Sequence, residues 1–98
     1  MDYNIQWSEE SINNLEEILE YLTSKWTQRE VDNFKTKLSR QLELIRNNPL
    51  MFPISEYNKK LRKGVLSRQT TIFYKVQENT VFIVYLFVNK KDIKNIED

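Results

Sequence analysis

Residues 59–91 read KKLRKGVLSRQTTIFYKVQENTVFIVYLFVNKK, and this stretch decides the fold. Thr70 to Val76 is almost entirely β-branched or aromatic, which suits a pleated, half-buried surface. Val81 to Val88 is apolar apart from the hydroxyl of Tyr85. A bilayer needs about 20 apolar residues, so this run is too short to cross one. Its length fits an internal strand covered on both faces. Gln77-Glu78-Asn79-Thr80 lies between the two runs and predicts a tight turn, with Asn79 as the residue that tolerates left-handed geometry. Residues 70–76 and 81–88 are therefore expected to pair as an antiparallel hairpin. Lys60 to Leu66 is a weaker strand ahead of it, interrupted by Gly64. That glycine, the only one in the chain, suits a bulge or a bend.

Upstream, the hydrophobic period changes from two to between three and four. Tyr3, Ile5 and Trp7 alternate with polar residues, which predicts a short strand. Ser8 is placed to cap a helix, with Glu9 and Glu10 in its first turn, where the helix dipole favours them. Ile12, Leu15, Ile18, Leu19 and Leu22 form one stripe, and the helix is expected to end near Lys25. Thr27-Gln28-Arg29-Glu30 is a capping box, with Glu30 reaching back to the cap. Val31, Phe34, Leu38, Leu42 and Ile45 make a second stripe, which Pro49 stops near Asn47 or Asn48. A short connection makes the two helices antiparallel, and their stripes need the sheet as well as each other. Phe52, between Pro49 and Pro53, is expected to plug the end of the core.

The fold expected is therefore α+β, in the order β-α-α-β-β-β, with a helical hairpin on one face of a small, mostly antiparallel sheet. Ile72, Tyr74 and Val76 would face the helices, and Thr71, Phe73 and Lys75 would face away. Residues 1–98 make one domain on this reading, with no linker or repeat. The tail after Val88 would add at most a helical turn.

Composition removes several chemistries. The chain has no cysteine and no histidine, so it lacks thiolates, the usual near-neutral proton carrier and the commonest metal ligand. No cofactor and no metal site are expected. The N-terminal residues lack the basic-then-apolar pattern of a signal peptide, which makes a cytoplasmic, non-membrane chain the expectation. Charge is uneven: residues 1–50 hold six Lys/Arg and nine Asp/Glu, whereas residues 51–98 hold nine and five. Lys59, Lys60, Arg62, Lys63, Arg68 and Lys75 follow one another with no acidic residue between them. Such a field attracts phosphates or an acidic partner.

The phrases NPLMFP (48–53), KKLRKGVLSRQTTIFYKV (59–76) and VYLFVNKKDIKNI (84–96), in that order, resemble the ParE/RelE superfamily of bacterial type II toxins. The resemblance covers nearly the whole chain. Each motif is loose, and it is their order that carries the likeness. It implies a growth-inhibiting toxin of a plasmid-stabilising toxin–antitoxin system, assembled with a cognate antitoxin as a hetero-oligomer. An antitoxin segment would lie on the apolar strands, over Phe73, Phe82, Val84 and Leu86 or their alternating neighbours.

The superfamily divides by target. Members resembling RelE cut mRNA on the ribosome. For them Lys60, Arg62, Arg68, Lys90 and Lys91 would be the catalytic cations. The residues after Asp92 contain neither Tyr nor His, so a lysine would have to act as base, which needs a strongly lowered pKa. Members resembling ParE poison DNA gyrase by binding. For them Lys59, Lys60, Arg62, Arg68, Lys90 and Lys91 would form a target-binding or nucleic-acid-binding surface, and VLSRQTTIFYKV is closer to this group. A third reading is an inactive toxin-like domain, whose lysines only solubilise a sheet edge. Tyr74 alternates with Ile72 and Val76 and is expected in the core. Trp7 and Trp26 are expected to pack there too.

Overall fold

In the computed structural model, residues 3–89 are described. They follow the expected order: β1 (Asn4–Trp7), α1 (Glu9–Lys25), α2 (Gln28–Asn47), a 3-10 turn (Pro49–Met51), β2 (Arg62–Val65), β3 (Thr70–Gln77) and β4 (Thr80–Val88). The sheet order is β1-β4-β3-β2. β1 runs parallel to β4, and the other pairs are antiparallel. A parallel neighbour needs a crossover, and the helical hairpin supplies it. Both helices lie on one face and share a core with the sheet: Ile18, Leu22, Val31, Leu38 and Ile45 meet Ile72, Tyr74, Val81, Ile83 and Leu86. Each such side chain contributes roughly 1.5–3 kcal/mol by leaving water. The tail beyond Asn89, with Lys90 and Lys91, lies outside the described residues.

Both caps form as the sequence suggests. The Ser8 hydroxyl accepts from the Ser11 amide (3.0 Å), and the Thr27 hydroxyl accepts from the Glu30 amide (3.3 Å). Glu30 reaches the Thr27 hydroxyl (3.4 Å) rather than its backbone amide. The stripe of α1 begins one residue earlier than expected: Ser11 is buried and Ile12 is 44% exposed. The start of α1 is tied to β4, because the Ser8 amide donates to Ile83 O (3.0 Å). Ser11 fits the buried position with its hydroxyl donating to Ser8 O (2.8 Å).

Three details of the sheet differ from expectation. Gly64 pairs regularly with Ile72, with no bulge. Here α2 comes close: a Cβ would sit 3.1 Å from Ile45 Cδ1 and 3.3 Å from Gln41 Nε2, so those side chains would have to give by a few tenths of an ångström. The irregularity lies instead in β4. Phe73 pairs with Tyr85 and Tyr74 with Ile83, so Val84 is the extra residue of a β-bulge. The bulge breaks the strict alternation assumed for 81–88. Val81, Ile83 and Leu86 are all buried on the helix side. Helix α1 satisfies the displaced backbone: the Ser8 hydroxyl donates to Val84 O (2.6 Å), and Asn14 Oδ1 accepts from the Leu86 amide (3.0 Å).

The third difference is in the hairpin turn. Glu78, not Asn79, takes the positive φ, at 54°. Two-residue hairpin loops need a positive φ at their first central position to match strand twist. A side chain there carries a steric cost that glycine avoids. Glu78→Gly is therefore expected to stabilise the chain by about 0.5–1 kcal/mol, after the extra chain entropy of glycine is subtracted. A urea midpoint at or below that of the parent chain would show that the turn is unstrained.

Candidate functional site

The basic stretch does not form one rim. Register and hydrogen bonding distribute its side chains to three places. Arg62 is opposite Tyr74, on the helix face of the sheet. Its Nη1 donates to Leu50 O (3.2 Å) and Phe52 O (2.6 Å), so the guanidinium clasps the 3-10 turn. Tyr74 is fully buried below it, and its hydroxyl donates to Pro49 O (2.5 Å). Phe52 meets the Tyr74 ring edge-on at 6.3 Å, so it closes the end of the core as expected. Burial pushes the Tyr74 hydroxyl up to about 12, against a smaller opposing pull from Arg62. A phenol held protonated in this way is a poor proton acceptor at neutral pH.

Lys63 and Lys75 are on the opposite face, which carries no helix among the described residues. Lys63 pairs across strands with Phe73 and ion-pairs with Glu56 (3.6 Å). Lys75 lies over the Phe82 ring, 5.9 Å from its centre. Phe73 stacks on Tyr85 at 4.7 Å, and Phe87 is half exposed beside them. This free face is therefore aromatic, with lysines at Lys63 and Lys75. Of the four strand residues singled out for a partner, Phe73 and Phe82 lie on this face, Phe73 buried beneath its neighbours and Phe82 half-buried. Val84 is the bulge residue, and Leu86 is turned to the helix side by it. Leu86 is 4% exposed, packed in the core against α1.

The third place is the surface loop system. Lys59 and Lys60 are exposed ahead of β2, and Arg68 is exposed in the β2–β3 loop. Sequence reasoning passed over their neighbours. The segment from Leu50 to Tyr57 holds four large side chains in water, and periodicity gave no sign of them because the segment has only the end of a 3-10 turn and an isolated bridge, too short for a repeat. Two prolines flanking an apolar run were the available signal. Among the described residues, no group of three His, Cys, Asp or Glu side chains could hold a metal ion. Among them, also, no helix is long and apolar enough to cross a membrane.

The family model for the ParE toxin of the type II toxin–antitoxin system parDE matches residues 5–93. The chain belongs to the ParE toxin family. Solved structures share the fold at low identity. The chromosomal ParDE system from P. aeruginosa aligns with a TM-score of 0.73 at 12% identity, covering 88% of this chain and 95% of that one. YafQ from E. coli strain BL21(DE3) aligns at 0.60 and 14%, covering 91% and 96%. The RelBE2 toxin–antitoxin complex from Mycobacterium tuberculosis aligns at 0.58 and 12%, covering 91% and 100%. A comparison with proteins of curated function gives no match. This ParE-family chain thus has the fold of type II toxins, and its target is a separate question.

Proposed function

We propose that this ParE-family toxin arrests growth by binding its target, DNA gyrase, without cutting nucleic acid. The observation that carries this reading is what Arg62 and Tyr74 are doing. Phosphodiester cleavage by a protein ribonuclease needs a group to accept the 2′-hydroxyl proton and free cations to offset developing charge. Here the arginine of the basic strand holds two backbone carbonyls, and the tyrosine beneath it is locked as a donor. Both side chains serve the fold. Lys59, Lys60 and Arg68, which are exposed, are suited to attracting an acidic or phosphate-bearing surface.

The same reading gives the chain a cognate antitoxin, as the ParDE and RelBE2 pairs have. The aromatic face carrying Phe73, Phe82 and Phe87 has no helix on it among the described residues and is where an antitoxin segment would lie.

The test is a supercoiling and DNA-cleavage assay with purified gyrase, plasmid and this protein. Lost supercoiling or accumulated broken DNA is expected. Unaffected gyrase, together with mRNA cut within codons on the ribosome, would replace this reading with the ribonuclease one. Neither effect, in cells that keep growing, would leave an inactive toxin-like domain.

A further inference from the structure

Four large apolar side chains stand in water on one short segment: Leu50 (61% exposed), Met51 (62%), Ile54 (50%) and Tyr57 (93%). A soluble chain gains nothing in stability by displaying them there. The segment is also stiff. Ile54 bridges Arg62 in antiparallel fashion, the Ser55 amide donates to Leu61 O (2.7 Å), and the Lys63 amide donates to Pro53 O (2.9 Å). Ser55 is buried, and its hydroxyl accepts from the amides of Tyr57 (3.2 Å) and Asn58 (3.4 Å). Leu61 N closes the tip on Asn58 O (2.9 Å), while Asn58 Oδ1 takes the Lys60 amide (3.0 Å). Arg62 anchors the base through the carbonyls of Leu50 and Phe52. The result is a small knuckle pinned by hydrogen bonds at its base and tip, with Phe52 packed on the core and Leu50, Met51, Ile54 and Tyr57 exposed.

We infer that this knuckle, Leu50 to Lys60, is the surface by which the toxin grips its protein target, with Tyr57 as the anchor. A rigid aromatic with few side-chain torsions loses little entropy on insertion, which is why tyrosine is enriched among the residues that dominate interfaces. Pre-ordering by Ser55 and Arg62 removes the cost of organising a loop on contact. The charges fix the kind of partner. Lys59 and Lys60 are exposed at the tip, and the nearby acid, Glu56, already faces Lys63 at 3.6 Å. The partner surface is accordingly an apolar pocket with an acidic border. Aliphatic Leu50, Met51 and Ile54 suit a protein pocket better than a nucleic-acid backbone, which asks for many cations and flat stacking surfaces. The inference rests on the proposed binding mode, and it names the residues that would make the contact.

The test compares the full chain with Tyr57→Ala and with the double variant Lys59→Glu, Lys60→Glu. Each is induced in cells for growth arrest, and each is purified for thermal melting and inhibition of purified gyrase. Tyr57→Ala is expected to melt with the parent, since the side chain touches little. It is expected to need about tenfold more protein for the same arrest and the same gyrase inhibition. The charge reversal is expected to weaken inhibition more at low salt than at high salt. Arrest by Tyr57→Ala within about threefold of the parent overturns the inference. If the parent arrests growth while purified gyrase is untouched, the gyrase reading falls and the knuckle is judged on arrest alone. A fluorescent single-stranded oligonucleotide is titrated alongside. Binding that Tyr57→Ala abolishes would make the occupant nucleic acid and overturn the protein assignment.

Discussion

Replacing Tyr74 by alanine is expected to cost about 3–5 kcal/mol, enough to leave most of the chain unfolded. Tyr74 is fully buried, at the meeting point of β3, α2 and the 3-10 turn. The change opens a ring-sized cavity and removes the edge-on contact with Phe52. It also leaves Pro49 O without its donor. Tyr74→Phe separates the two parts: the ring stays, the hydrogen bond goes, and the loss should be about 1–2 kcal/mol. Circular dichroism through a urea titration measures both. A Tyr74→Phe chain as stable as the parent would mean that water replaces the phenol at Pro49.

The raised pKa of Tyr74 adds a pH arm to that comparison. In the unfolded chain a tyrosine ionises near 10, whereas folded Tyr74 holds its proton to about 12. Between those values the unfolded state releases a proton that the folded state keeps. Stability from this group is therefore intact below pH 10 and lost as pH climbs through 12. Tyr74→Phe should lack that part of the alkaline loss.

Arg62→Ala is the second large effect, at about 1.5–3 kcal/mol, the range for hydrogen bonds to a charged donor. Two carbonyls, of Leu50 and Phe52, lose their partner at once, and the base of the knuckle loosens. Arg62→Lys keeps the charge but not the guanidinium's geometry, so it should recover only part of the loss. Thermal melting ranks the three proteins. Loss of toxicity in Arg62→Ala would thus report folding, and Arg68→Ala, at an exposed position, is the cleaner probe of surface charge. An Arg62→Ala chain that melts with the parent yet fails to arrest growth would return Arg62 to the target surface.

Local rules made most of the architecture legible. Ser8 and Thr27 start their helices, Pro49 ends the second, and the β-branched runs at 70–76 and 81–88 pair as a hairpin. These signals act within a few residues, where propensity and capping chemistry are expressed directly. The candidate site was less legible. Lys59 to Lys75 reads as one basic run, but strand pleating and pairing turn Arg62 inward and Lys63 and Lys75 outward. Phe82 and Leu86 look alike in sequence and end on opposite faces.

By itself, the sequence determined the element order, the helix ends, the α+β class and the absence of His and Cys chemistry. Only the tertiary structure decided which cations are spent on the fold and which face water. One extra residue at Val84 reverses the parity of everything after it in β4, and no local preference marks that residue. The bulge is stable because groups far away in sequence satisfy the backbone it frees: the Ser8 hydroxyl donates to Val84 O, and Asn14 Oδ1 accepts from the Leu86 amide. Gly64 likewise looked like a bend and proved to be clearance for Ile45 of α2. Such outcomes depend on groups brought together from distant parts of the chain, so they exist only once the chain is folded.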